Sequence, residues 1–141
     1  MDRILVAGFG PFGGDPVNPS LEAVKLLEGR ILAGHRVVAA QLPVVRGECV
    51  ETLLRHIRKV DPVLVVAIGL AGGRVEITPE RVAINVDDYR IPDNGGNQPT
   101  RDPVVAGGPV GYWRSRWPRR PAIRPRRRSA APRCSAACPG A

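Results

Sequence analysis

Residues 3–29 read RILVAGFGPFGGDPVNPSLEAVKLLEG: a short apolar run, a loop rich in glycine and proline, then leucines and valines at helical spacing. Ile4 to Phe9 is continuously apolar and ends among glycines, the pattern of a parallel strand buried on both faces and not of a half-exposed one. Asn18 can cap a helix with Pro19 at its first position, where a missing N–H costs nothing, and Leu21, Val24 and Leu27 carry the helix to Gly29. The same alternation then repeats. Arg36 to Leu42, closed by Pro43, reads as a second strand; Val50, Leu53, Leu54, Ile57 and Val60 mark an amphipathic helix from about Gly47; and Pro62 to Gly69 reads as a third strand. Strands alternating with helices call for right-handed crossovers. The expectation is an α/β fold, a three-layer α/β/α sandwich around a mainly parallel sheet.

Beyond the third strand the pattern changes. Val75 to Ile77 and Arg81 to Val86 read as a pair of strands joined around Thr78 and Pro79, and a polar loop follows as far as Gly108. A loop of that length is usually a functional element or a surface excursion. It carries DNGGNQP, residues 93–99, in which Asn94, Gly95 and Gly96 permit positive φ while Pro92 and Pro99 stiffen the approach. Loops over the carboxyl edge of a sheet often border ligands, so a lid and a plain excursion are both open readings.

Charge divides the chain near residue 110. Residues 1–110 hold 12 Lys and Arg against 13 Asp and Glu, whereas residues 111–141 hold 9 Arg and no acid. The formal net charge of +8 therefore belongs to the last 31 residues. That stretch also contains both tryptophans, Cys134, Cys138 and five prolines, with neither helical nor strand periodicity. Such a mixture, without Lys, Asn or Gln, is what out-of-frame translation of GC-rich DNA yields. Residues 1–110 are thus expected to form a C-terminally incomplete domain, and residues 111–141 an Arg/Pro-rich tail that is disordered or out of frame. The alternative is a basic tail that binds nucleic acid through phosphate contacts. The short opening apolar run makes no secretory signal, no stretch approaches a membrane span, and Cys49 alone in the body argues against a disulfide framework. A cytoplasmic location follows as the expectation.

Gly8, Gly10 and Gly13 satisfy G-x-G-x-x-G directly after the first strand, which raises dinucleotide binding. That chemistry needs a helix to open at the glycines and an acidic residue to close the second strand. Pro11, Pro16 and Pro19 delay the helix, and the second strand ends Ala39, Ala40, Gln41 without a carboxylate. No zinc-type spacing of Cys and His is present either, so neither cofactor nor metal is expected.

A better reading comes from residues 69–94, GLAGGRVEITPERVAINVDDYRIPDN, together with GFGPFGGDPVNPS at residues 8–20. Both segments resemble the pyroglutamyl peptidase I (pyrrolidone carboxyl peptidase) family of cysteine peptidases, in the expected order and over residues 1 to about 110. The resemblance implies a cofactor-free omega-peptidase acting on N-terminal pyroglutamyl peptides, with a homo-oligomer as the assembled form. It places Phe9 and Phe12 as the aromatic walls of a pocket for the flat pyrrolidone ring, with Asn18 near the substrate. The same two phenylalanines would otherwise simply pack the loop onto the sheet.

Pyroglutamate has no free α-amine, so such a pocket must recognise a neutral lactam while a thiolate reaches its exocyclic carbonyl. The family uses a Cys, a His as base and then acid, and a carboxylate that orients the imidazole. Glu80 matches that carboxylate; its rival role is a structural ion pair with Arg81 or Arg90. The resemblance puts the matching Cys and His beyond residue 110, and neither Cys134 nor Cys138 has a following histidine. Cys49 shares a helix surface with Leu53 and His56, where packing accounts for it. His35 and His56 read as boundary or surface residues. The turn also departs from the family, with Leu70 where relatives would place a glutamine able to bond the lactam. The 141-residue chain is accordingly expected to be inactive by itself.

Overall fold

A computed structural model describes residues 1–109, Gly111 and the backbone of residues 113–114. The elements run β1 (Arg3–Phe9), α1 (Pro19–Lys25), β2 (Ile31–Leu32), β3 (His35–Leu42), α2 (Glu48–Val60), β4 (Leu64–Ile68), β5 (Val82–Ala83) and β6 (Trp113–Arg114). The main sheet has the order β2-β3-β1-β4, with β1 parallel to both β3 and β4 and β2 antiparallel to β3. Leu5 lies opposite Val38 on one side and Val65 on the other. Successive side chains of β1 point to opposite faces, and each face meets a different helix. Leu5 and Ala7 join Ala40, Leu42 and Val60, with Leu53 and Ile57 of α2 against them. Val6 joins Val37 and Val24 of α1. The expected three-layer sandwich is therefore present, with helices on both faces of a mainly parallel sheet.

Helix α1 starts where the sequence places its cap. Asn18 is extended, its Oδ1 accepts from the Ser20 amide at 3.1 Å and from Ser20 Oγ at 2.8 Å, and its Nδ2 donates to the Gly10 carbonyl at 2.9 Å. The cap and the loop after β1 are thus tied by one buried side chain. Replacing Asn18 by Ala should cost about 2 kcal/mol, the upper end for an N-cap, because the Gly10 carbonyl also loses its buried donor. Urea unfolding measures it; a loss below about 0.5 kcal/mol would show that water replaces the amide. The close fit of helix on strand occurs at Gly8, where a Cβ would stand 2.7 Å from the Ser20 carbonyl oxygen and 2.9 Å from Leu21 Cα. Gly8, near the end of β1, therefore serves close helix–strand packing.

Two parts depart from expectation. Val75 to Ile77 forms no strand and both end residues are fully exposed; β5 is shortened to Val82–Ala83 and pairs antiparallel with Trp113–Arg114. A β-branched run becomes a strand only if another strand accepts its hydrogen bonds. The second departure is the β2–β3 hairpin, in which Ala33 (φ 49°) and Gly34 (φ 80°) make a two-residue turn with both residues left-handed. The reading of residues 111–141 as a tail lies outside the described residues, apart from that short β-pairing. At the other end of the sheet β4 pairs with β1, and Val63, Leu64 and, on α2, Leu54 stay exposed.

Candidate functional site

The chain passes from β1 to β3 on one side and then crosses back over β1 to β4, so the strand order reverses between β1 and β4. Open α/β sheets leave a crevice at that point, outside the carboxyl ends of the strands. Of two adjoining cavities, the second draws on the loops after both β1 and β4 and so lies at this point, and the first lies beside it towards the end of β3. The first, about 370 Å³, is lined by Phe9, Phe12, Val45, Arg46, Cys49 and Tyr89 among others. The second, about 590 Å³, takes in Phe9, Phe12, Asn18, Val44, Gly69 and Leu70. Arg90 and Ile91 border both. Loops after β1, β3 and β4 therefore converge on a largely apolar concavity, with Phe9 and Phe12 shared by its two halves.

The structure places Phe9, Phe12 and Asn18 on the second cavity, and Asn18 also has a task within the fold. Its amide is buried and both of its ends are bonded within the protein, to Gly10 and Ser20. Asn18 shapes the loop that carries the phenylalanines. Leu70 borders the second cavity and supplies no polar atom from its side chain. Glu80 stands apart from both cavities. Its carboxylate accepts from Arg74 Nη1 at 3.0 Å, and Arg74 Nη1 also reaches Thr78 Oγ1 at 3.1 Å. Arg74 is thus a partner of Glu80 that the sequence reading did not consider. With side chains 55% and 75% exposed the pair is worth little, which leaves the carboxylate available.

The polar loop is built as a loose hairpin folded back over the crevice. Asn85 bonds both the amide and the carbonyl of Val105, Asp87 and Asp102 exchange backbone bonds of 2.7 and 3.0 Å, and the Tyr89 amide donates to the Pro99 carbonyl. At its tip Asp93 accepts from the amides of Gly95 and Asn97 and from the Asn97 side chain, closing the DNGGN turn. The same carboxylate accepts the Arg46 amide at 2.6 Å, the Asn94 amide donates to Val44, and the Asn94 side chain donates to Pro11. The turn is therefore pinned to the loops after β3 and β1. Burial pushes the Asp93 carboxyl up, but the bonds from Arg46, Asn97 and Gly95 outweigh it and hold the group below the ordinary aspartate range. Tyr89 is shifted the other way: burial first, then the Asp87 carboxylate and Cys49, raise its phenol, with Arg46 opposing.

Sequence reasoning located the DNGGN turn and missed its grip on Arg46. Asp at the head of an Asx-type turn is a readable signal, whereas a contact across 47 positions is not. Cys49 packs against the α2 side of the core, as expected, and it also borders the first cavity. Seven residues, about 10 Å along the axis, separate it from His56 on the same helix. His35 opens β3 at the end of the sheet opposite the crevice, with Asp2 3.8 Å away. Among the described residues no cysteine meets a histidine there, and no group of three or more His, Cys, Asp or Glu could hold a metal ion. No helix among them is long and apolar enough to cross a membrane.

Comparison with known proteins agrees with this fold. The pyrrolidone-carboxylate peptidase of Coprothermobacter proteolyticus is 58% identical over 113 residues, covering 80% of this chain and 55% of the relative. That of Vibrio campbellii is 52% identical over 113 residues, covering 80% and 53%. The crystal structure of pyroglutamyl peptidase I from Bacillus amyloliquefaciens superposes with a TM-score of 0.78 at 43% identity, covering 82% of this chain and 55% of that one. A pyrrolidone carboxyl peptidase from Pyrococcus furiosus gives a TM-score of 0.75 at 39% identity, over 80% and 54%. The chain thus spans about half the length of the curated relatives it matches. The family model for pyroglutamyl peptidases matches residues 2–133. By sequence and by fold, the chain belongs to the pyroglutamyl peptidase family.

Proposed function

We propose that this chain carries the ring-recognising part of a thiol omega-peptidase that removes N-terminal pyroglutamate from peptides. The observation that carries the reading is the pair Phe9 and Phe12 on an apolar crevice at the strand-order reversal, in a chain of this family. A flat neutral ring slides between aromatic faces without losing strong hydration, whereas a free α-ammonium would have to be stripped of water in the same place. The crevice therefore selects against ordinary amino termini before any hydrogen bond is counted. Leu70 and the internally bonded Asn18 leave lactam bonding to backbone groups and to Arg90. Glu80 is assigned as the carboxylate that orients the catalytic imidazole, since its exposed pair with Arg74 leaves lone pairs free. The nucleophilic Cys and its His are assigned to the family segments that follow this match. Residues 1–110 form the folding body in this reading, residues 111–141 are a tail that is disordered or out of frame, and the assembled enzyme is a cytoplasmic homo-oligomer. The family-model match to residue 133 runs into that tail.

Titration of the chain with pyroglutamyl amide and with prolinamide, followed by NMR shifts, tests the pocket. Pyroglutamyl amide should bind with Kd on the order of 1 mM, and Phe12→Ala should weaken it about tenfold. Prolinamide, charged at neutral pH, should bind at least tenfold more weakly. Equal binding of the two ligands, or none of the lactam, refutes the reading.

A further inference from the structure

The excursion from Asn85 to Gly108 has limited apolar anchorage: Pro99 is buried and Val86 and Tyr89 are half-buried, but Ile91, Val104 and Val105 remain more than a third exposed. A segment with limited burial opens locally unless polar contacts close it. Those contacts converge on Arg46. Its Nε donates to the Asp87 carboxylate at 2.9 Å, its Nη1 lies 3.6 Å from the Asp102 carboxylate, and its Nη2 donates to the Pro103 carbonyl at 3.4 Å. Its own amide donates to Asp93 at 2.6 Å. Asp87 and Asp102 are cross-strand partners, so a single guanidinium grips both arms of the hairpin while its backbone holds the tip. A planar fork can span two carboxylates and a carbonyl; an ammonium cannot do so in one geometry.

Arg46 also belongs to the connection between β3 and α2, which borders the crevice, and the gripped hairpin carries Tyr89, Arg90 and Ile91 on its other border. We propose that Arg46 is a positioning residue: with Asp93 it forms a clasp that holds the Tyr89–Ile91 wall against Phe9 and Phe12 and so sets the width of the crevice. The consequence for substrate rests on the lactam-pocket reading above; the clasp itself does not. The titratable and charged groups around it are Asp87, Asp93, Asp102, Tyr89, Cys49 and Arg90. Because the Asp93 carboxyl titrates below the ordinary aspartate range, its contribution is present above that range and is lost as pH falls through the lowered value. The Asp93 part of the clasp thus persists through mildly acidic conditions.

Amide hydrogen exchange on the intact 141-residue chain tests this, with Arg46→Met and Arg46→Lys. The reporters are the amides of Asp87, Tyr89, Asp93 and Gly95, and β1 and β3 serve as internal controls. Arg46→Met should speed exchange at the reporters about tenfold while the controls keep their protection, and Arg46→Lys should restore only part. Lactam affinity should fall in parallel with the reporters. Unchanged reporter exchange in Arg46→Met, or acceleration shared equally by β1 and β3, overturns the clasp. Localised acceleration without any lactam binding by the parent chain upholds the clasp and refutes the pocket reading instead.

Discussion

Mixed with the carboxyl-terminal part of the Coprothermobacter proteolyticus relative that its match leaves uncovered, the chain is expected to release pyroglutamate from a chromogenic amide; alone, it should release none. The reason is chemical. A thiol attacks an amide only after losing its proton to a nearby base, and among the described residues Cys49 has no histidine against it. The crevice and Glu80 can be in place without turnover. In the restored enzyme Glu80→Gln should lower kcat by about 10²–10⁴, with KM moving much less, because an amide holds an imidazole but does not favour its cation. Glu80→Asp should recover part of the loss. Turnover by the chain alone would remove the assignment of nucleophile and base to later segments. Full activity in Glu80→Gln would remove Glu80 from the catalytic set while leaving Phe9 and Phe12 untouched.

Gly8→Ala should cost about 3 kcal/mol, at the upper end of ordinary overpacking, because the added methyl meets backbone and not a side chain that can turn away. Its neighbours would be the Ser20 carbonyl at 2.7 Å and Leu21 Cα at 2.9 Å, so α1 must move off β1. That shift would also strain the bond from the Phe9 amide to Ser20 Oγ and the Asn18 cap beside it. For a domain whose total stability is only about 5–15 kcal/mol, such a loss would be visible as a large drop in the urea midpoint with unchanged slope. Leu5→Ala, at a fully buried position, should cost about 2–5 kcal/mol by leaving a cavity and provides the scale. A Gly8→Ala midpoint within 0.5 M of the parent would contradict the close approach of helix and strand.

The reading of β1, α1, β3, α2 and β4 from sequence succeeded because each rests on contacts within one element. Ile4 to Phe9 is apolar on both faces, and the structure puts Leu5 against one helix layer and Val6 against the other. Asn18 and Pro19 are a cap and a first turn whichever way the rest of the chain runs. The β2–β3 hairpin went unread because alanine seldom takes positive φ, and the left-handed Ala33 accompanies the pairing of Ile31 and Leu32 with β3. Val75 to Ile77 misled because strand-forming side chains imply a partner strand that they cannot themselves supply.

Local sequence alone thus determined the alternation of strand and helix, the capped start of α1, the family and the aromatic pair of the crevice. The tertiary structure decided the distant contacts: that the Asn94 side chain reaches Pro11, and that Arg46 gathers Asp87, Asp93 and Asp102 from 41 to 56 positions away. The division has a physical cause. Periodicity and capping are set within a few bonds along the chain, whereas the partner of a carboxylate or a guanidinium is whichever group the crossovers bring within about 3 Å.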